Sequence, residues 1–109
     1  MDERDRNLIL ELKKRFPADV MAHIRKVVAF GSRVRGHRGD DSDLDLLILV
    51  DHKTPDLEAK IEDVAYQVMW DHDFKPIISI KIFTEAMYRN SLSEGFSFYK
   101  NIEREGVPL

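Results

Sequence analysis

The chain has 109 residues, 43% of them apolar, with 17 basic against 20 acidic side chains and a net charge of −3. That length fits a single domain spanning residues 1–109, with a core of its own and room for a homo- or hetero-oligomeric partner surface. The acidic balance argues against non-specific nucleic-acid binding, and the lack of cysteine excludes disulfides and thiolate metal sites.

The opening MDERDRNLILELKKRF is too charged for a secretory leader. The longest unbroken apolar run, Leu46 to Val50, is far too short to span a membrane, so the expected setting is cytoplasmic. Leu8, Ile9, Leu12 and Phe16 share one helical stripe, and Pro17 ends that helix by pushing its predecessor out of the α region. A short turn of helix follows around Ala18 to Ile24. Lys26 to Phe30, KVVAF, reads as a first strand punctuated by Gly31. Leu44 to Val50 is a second strand, apolar on both faces in its later part, and therefore covered on both sides or central.

Asp56 to Trp70 carries Leu57, Ile61, Val64, Ala65 and Val68 at helical spacing, with Thr54 as N-cap and Pro55 at the first helical position. Pro76 to Phe83, PIISIKIF, alternates as a third strand. Thr84 caps a short helix through Arg89. Ser91 with Glu94 offers a capping box for a last helix over Glu94 to Glu105, closed by Gly106. This order implies an α/β (α+β) fold, a small mixed sheet flanked by helices.

The chemistry concentrates in FGSRVRGHRGDDSDLDLLILV, residues 30–50. A strand ending in Gly31-Ser32 and entering a turn aims several backbone N–H groups one way, which makes an anion site. Gly31 and Gly36 have P-loop spacing, but His37-Arg38 stands where Lys-Ser/Thr is required, and no G-x-G-x-x-G is present. Asp43 and Asp45 alternate along a strand, so they share a face about 6.6 Å apart and can converge on one ion. Magnesium suits such a pair, with waters and substrate phosphates completing its octahedron. The plainer readings are a turn residue for Asp43 and a solvated strand end for the pair. Asp45, set between Leu44 and Leu46, fits them less well, because an unpaired buried carboxylate is costly.

Gly31-Ser32, the ten residues Arg33 to Ser42, and Asp43-Leu44-Asp45 resemble the G-S-x10-D-x-D signature of the DNA polymerase β-like nucleotidyltransferases. Across nearly its whole length the chain is similar to the minimal nucleotidyltransferases of the MNT type, which pair with HEPN-domain proteins in toxin–antitoxin modules. The resemblance implies ATP as substrate with Mg2+, Gly31 and Ser32 at the triphosphate, and Asp43 and Asp45 as catalytic metal ligands. It further implies AMP transfer to a HEPN partner. Arg33, Arg35 and Arg38 flank the phosphate site, and Arg33, adjoining Ser32, is the first candidate for a bidentate phosphate clamp.

One element departs from the pattern. Enzymes of this superfamily carry a third carboxylate on a later strand, yet PIISIKIF offers only Ser79 and Lys81 on its polar face. Asp71 and Asp73, just before that strand, are poorly placed substitutes. Lys81 is either a fixed counter-cation for the aspartates or a solvated lysine. Two readings follow: a working nucleotidyltransferase, or the same fold kept as a binding module that neutralises a HEPN partner by complex formation. His23, His37, His52 and His72 show no metal-ligand spacing, and Asp71-His72-Asp73 reads as a solvated helix end. Trp70, Phe96, Phe98 and Tyr99 read as core or partner interface rather than as a surface for a nucleobase.

Overall fold

The computed structural model describes residues 1–36 and 42–109. Helix α1 (Glu3–Arg15) starts at Asp2, whose carboxylate accepts the Asp5 N–H at 2.8 Å, and ends with Lys13, Lys14 and Arg15 beside its negative pole. A single-turn helix α2 (Ala18–Met21) leads into strand β1 (Ile24–Phe30). Strand β2 (Leu44–Val50) follows, then helix α3 (Pro55–Asp71), capped by the Thr54 hydroxyl on the Leu57 N–H at 3.1 Å. Strand β3 (Ile78–Thr84), helices α4 (Glu85–Ser93) and α5 (Ser97–Glu105), and a two-residue strand β4 (Val107–Pro108) complete the described chain. No helix among the described residues is long and apolar enough to cross a membrane.

The strands form one mixed sheet in the order β3-β2-β1-β4. β1 runs antiparallel to β2 and β4, while β2 and β3 are parallel and joined by the α3 crossover. β2 is thus an inner strand with helices over both faces, and every residue in it except Asp45 is buried. Leu44, Leu46, Ile48 and Val50 face Leu8, Ile9 and Leu12 of α1 and Ile61 and Val68 of α3. Leu47 and Leu49 face the other way, onto Val28, Tyr88 and Ile102 beneath α4 and α5. Each fully buried leucine or isoleucine here contributes roughly 1.5–3 kcal/mol.

The predicted elements are present, with two corrections near the end of the chain. Ser91 does not cap a helix: α4 continues through it to Ser93, and Glu94 is the C-cap. The break comes at Gly95, whose φ of 83° lies in the left-handed region that only glycine enters freely. The last helix therefore starts at Ser97, with Phe96 at its N-cap and no side-chain cap bond. Beyond it, β4 pairs Val107 with Ala29 and Pro108 with Val28. The Leu109 N–H donates to the Val27 carbonyl at 2.9 Å, while Lys13 Nζ donates to the Leu109 carbonyl at 2.7 Å. Two residues carry too little alternation to register as a strand in sequence. Gly106 is needed there for space, since a Cβ would stand 2.6 Å from Val28 Cγ1 and 2.5 Å from the Ile102 carbonyl oxygen.

Candidate active site

The antiparallel register sets Phe30 opposite Asp45, so the residue that ends β1 lies beside the carboxylate that opens β2. Gly31 follows with φ of 86°, and a Cβ at that position would collide with Asp45 Oδ2. Both facts require glycine: the chain must turn in the left-handed region and must leave room for a carboxylate. Ser32 stands half-buried in the turn that follows, where the Arg35 N–H donates to the Gly31 carbonyl at 3.4 Å. The structure thus brings Gly31, Asp45 and the turn bearing Ser32 together, although ten residues separate the motif's halves.

Asp43 is exposed at the mouth of β2 and Asp45 is half-buried one pleat further in. Burial pushes the Asp45 carboxyl above the usual range, and the neighbouring Asp43 carboxylate adds to it; Lys81 and Arg35 pull in the opposite direction. Two carboxylates thus crowd together within electrostatic reach of two cations. A divalent cation relieves this crowding, so the pair fits magnesium with phosphates completing its shell. Among the described residues no group of three or more His, Cys, Asp or Glu gathers as a ready-made metal cage.

β3 supplies no carboxylate to this face. Its register sets Ser79 opposite Asp45 and Lys81 opposite Leu47, so β3 brings a serine and a lysine, and no acid, beside the face that carries Asp45. Asp71 does not replace it: its carboxylate holds Arg15 Nη1 at 2.8 Å on the layer where α1 packs against α3. Asp73 sits in the turn before β3, with φ of 58°.

Arg33 is placed differently from its sequence expectation. Its side chain is 7% exposed and turned inward onto Asp5 of α1, with Nε to Oδ2 and Nη2 to Oδ1 both at 2.9 Å. Its Nη1 donates to the Ser42 carbonyl at 3.1 Å, tying both ends of the motif loop to α1. The planar guanidinium favours this bidentate pairing over reaching out to an exposed anion. Asp5 was missed from sequence, yet it occupies the apolar stripe of α1 with Leu8, Ile9 and Leu12, a position where an acid needs a partner. Arg35 is the arginine that faces the site: half-exposed, felt electrostatically by Asp45, and 3.2 Å from Glu105 Oε2 on α5. Arg38, with Asp40 and Asp41, lies outside the described residues.

A glycine-serine turn is packed against Asp45 of β2, with Asp43 just before that strand, on a mixed sheet with helices on both faces. The family profile described as "Nucleotidyltransferase domain" matches residues 5–106, and the chain belongs to that family. It is 31% identical over 109 aligned residues to a protein of Methanocaldococcus jannaschii named "Putative protein adenylyltransferase", covering 93% of this chain and 98% of that one. Among solved structures, a chain of the toxin–antitoxin MntA–HpeT, crystallised as a mutant with two aspartates changed to glutamate, matches with a TM-score of 0.53. That match spans 94% of this chain and 69% of the other at 14% identity, a likeness of fold.

Proposed function

We propose that this nucleotidyltransferase moves AMP from ATP to a hydroxyl of a partner protein, a HEPN-domain toxin, acting as the antitoxin of the pair. The observation that carries the reading is the Asp45 carboxylate lodged against Gly31, with Asp43 beside it at the mouth of β2. Backbone N–H groups of the Gly31–Ser32 turn and the Ser32 hydroxyl receive the triphosphate. Asp43 and Asp45 would hold magnesium, which would supply positive charge against the phosphates. The acceptor oxygen attacks the α-phosphorus and gives its proton to solvent water; its bond to that phosphorus forms as the bond to the bridging oxygen breaks, and pyrophosphate leaves with that oxygen. The name of the archaeal relative supports protein as acceptor, and the fold shared with a toxin–antitoxin protein supports a toxin partner.

Ser79 and Lys81, with no carboxylate on β3 to take the acceptor proton, favour a second reading. In that reading the chain neutralises its partner by binding alone. Incubation with ATP, magnesium and the partner, followed by intact mass, separates the two. An AMP-sized gain on the partner that vanishes in Asp43→Asn supports transfer. A stable complex with no mass gain, formed equally by wild type and Asp43→Asn, supports the binding module instead.

A further inference from the structure

A groove of about 220 Å³ opens directly beside Gly31, bounded by Phe30, Arg35, Phe98, Asn101 and Glu105. We propose that this groove is the nucleobase seat: the base of the nucleoside triphosphate stacks on Phe98 and is read by Asn101. The inference rests on the nucleotide-binding reading above and assigns α5 a role in it.

Four observations lead there. First, Gly31 is shared, since it lines the groove and contacts Asp45, so a ligand with phosphates at the turn continues into this space. Second, the groove has an aromatic wall. Phe98 stands edge-on to Phe30, with centroids 5.8 Å apart and planes at 89°, and edge-on to Tyr99 at 5.3 Å. Those contacts hold the ring in place while 37% of Phe98 remains exposed. A fixed, partly open aromatic ring is what a base stacks on. Third, Asn101 is three residues along α5 from Phe98, so the two share a helix face; its Oδ1 accepts from Arg104 Nη2 at 2.9 Å, which fixes the carboxamide and leaves its N–H donors and a second oxygen lone pair for a base. Fourth, a cation, Arg35, stands in the same groove as Gly31. It is held by Glu105 at 3.2 Å.

The groove is also built in advance. The tight fit of Gly106 against Val28 and Ile102 clamps the C-terminal end of α5 to β1. Ile102 itself is buried beneath Leu47 and Leu49. Phe98, read from sequence as core or partner interface, is therefore reassigned to the ligand.

The test is calorimetric titration with α,β-methylene ATP and, separately, inorganic tripolyphosphate, both with magnesium. Phe98→Leu keeps the apolar bulk and loses the π-face, and Asn101→Ala changes an exposed side chain, so neither substitution threatens the core. Phe98→Leu is expected to weaken the ATP analogue by about 5- to 150-fold, the range for one stacked base (~1–3 kcal/mol), and to leave tripolyphosphate unchanged. Phe98→Tyr restores the affinity, and Asn101→Ala weakens the ATP analogue alone. Equal weakening of both ligands overturns the assignment. So does unchanged ATP-analogue affinity in Phe98→Leu with reduced modification of a partner, which would make the groove an acceptor site. Wild type binding neither ligand overturns the nucleotide reading itself, and the base seat with it.

Discussion

The buried Arg33–Asp5 pair sets the sharpest test of how this site is built. Both side chains are nearly inaccessible, at 7% and 2% exposure, and share two hydrogen bonds of 2.9 Å. Removing one partner from such a pair leaves an uncompensated buried charge and costs about 3–5 kcal/mol. That is a large share of the ~5–15 kcal/mol that holds a domain folded. At ~4–8 °C per kcal/mol for a domain near this size, Arg33→Met should lower Tm by at least ~12 °C. Asp5→Leu should fall by a similar amount, while the double variant Asp5→Leu/Arg33→Met recovers most of the loss, because apolar side chains of similar volume substitute well for a buried pair. Differential scanning calorimetry gives the Tm values, and ATP-analogue titration well below the lowered Tm gives the affinity. An Arg33→Met variant that keeps the wild-type Tm but no longer binds the ATP analogue overturns this structural role. Arg33 would then be a phosphate ligand after all.

Three further outcomes follow from the same geometry. Burial and Asp43 raise the Asp45 carboxyl, so the folded state holds that proton longer than the unfolded chain, and stability falls as pH climbs from the unfolded value to the folded one. Asp45→Asn should therefore raise Tm at pH 7 in metal-free buffer, leave it unmoved in acid where both forms are neutral, and abolish transfer; a lower Tm at pH 7 counts against this account. Gly31→Ala meets both a left-handed φ and the Asp45 oxygen, so circular dichroism melts should show a loss above ~1 kcal/mol, and nucleotide binding should go with it. Burial and the 2.8 Å hydrogen bond it donates to Glu103 push the Tyr88 hydroxyl up to about 12. Its neutral form is favoured in the folded state, so stability declines from about pH 10 upward as the unfolded tyrosine ionises first. Ultraviolet titration should show one tyrosine ionising late, and Tyr88→Phe should remove that late step.

Much of this protein is legible without coordinates, for reasons of period and spacing. β2 could be placed at Leu44–Val50 because a strand apolar on both faces must be covered on both, and the sheet order makes it an inner strand. Gly31, Ser32, Asp43 and Asp45 could be singled out because residue type and separation along the chain carry that chemistry directly. The polar face of β3 was equally readable from alternation, and the parallel register sets Ser79 and Lys81 as expected. What the linear pattern could not show is which groups meet across elements. It ranked Arg33 first among the arginines by adjacency to Ser32, whereas the path of the turn buries Arg33 on Asp5 and leaves Arg35 facing Asp45. Nor could it show that α5 and a two-residue strand return across β1 and place Phe98 and Asn101 beside Gly31. Periodicity reports the environment of one residue at a time. Ion pairing and groove formation depend on distances between residues far apart in sequence, such as the 28 positions from Asp5 to Arg33, and only the packed fold sets those distances.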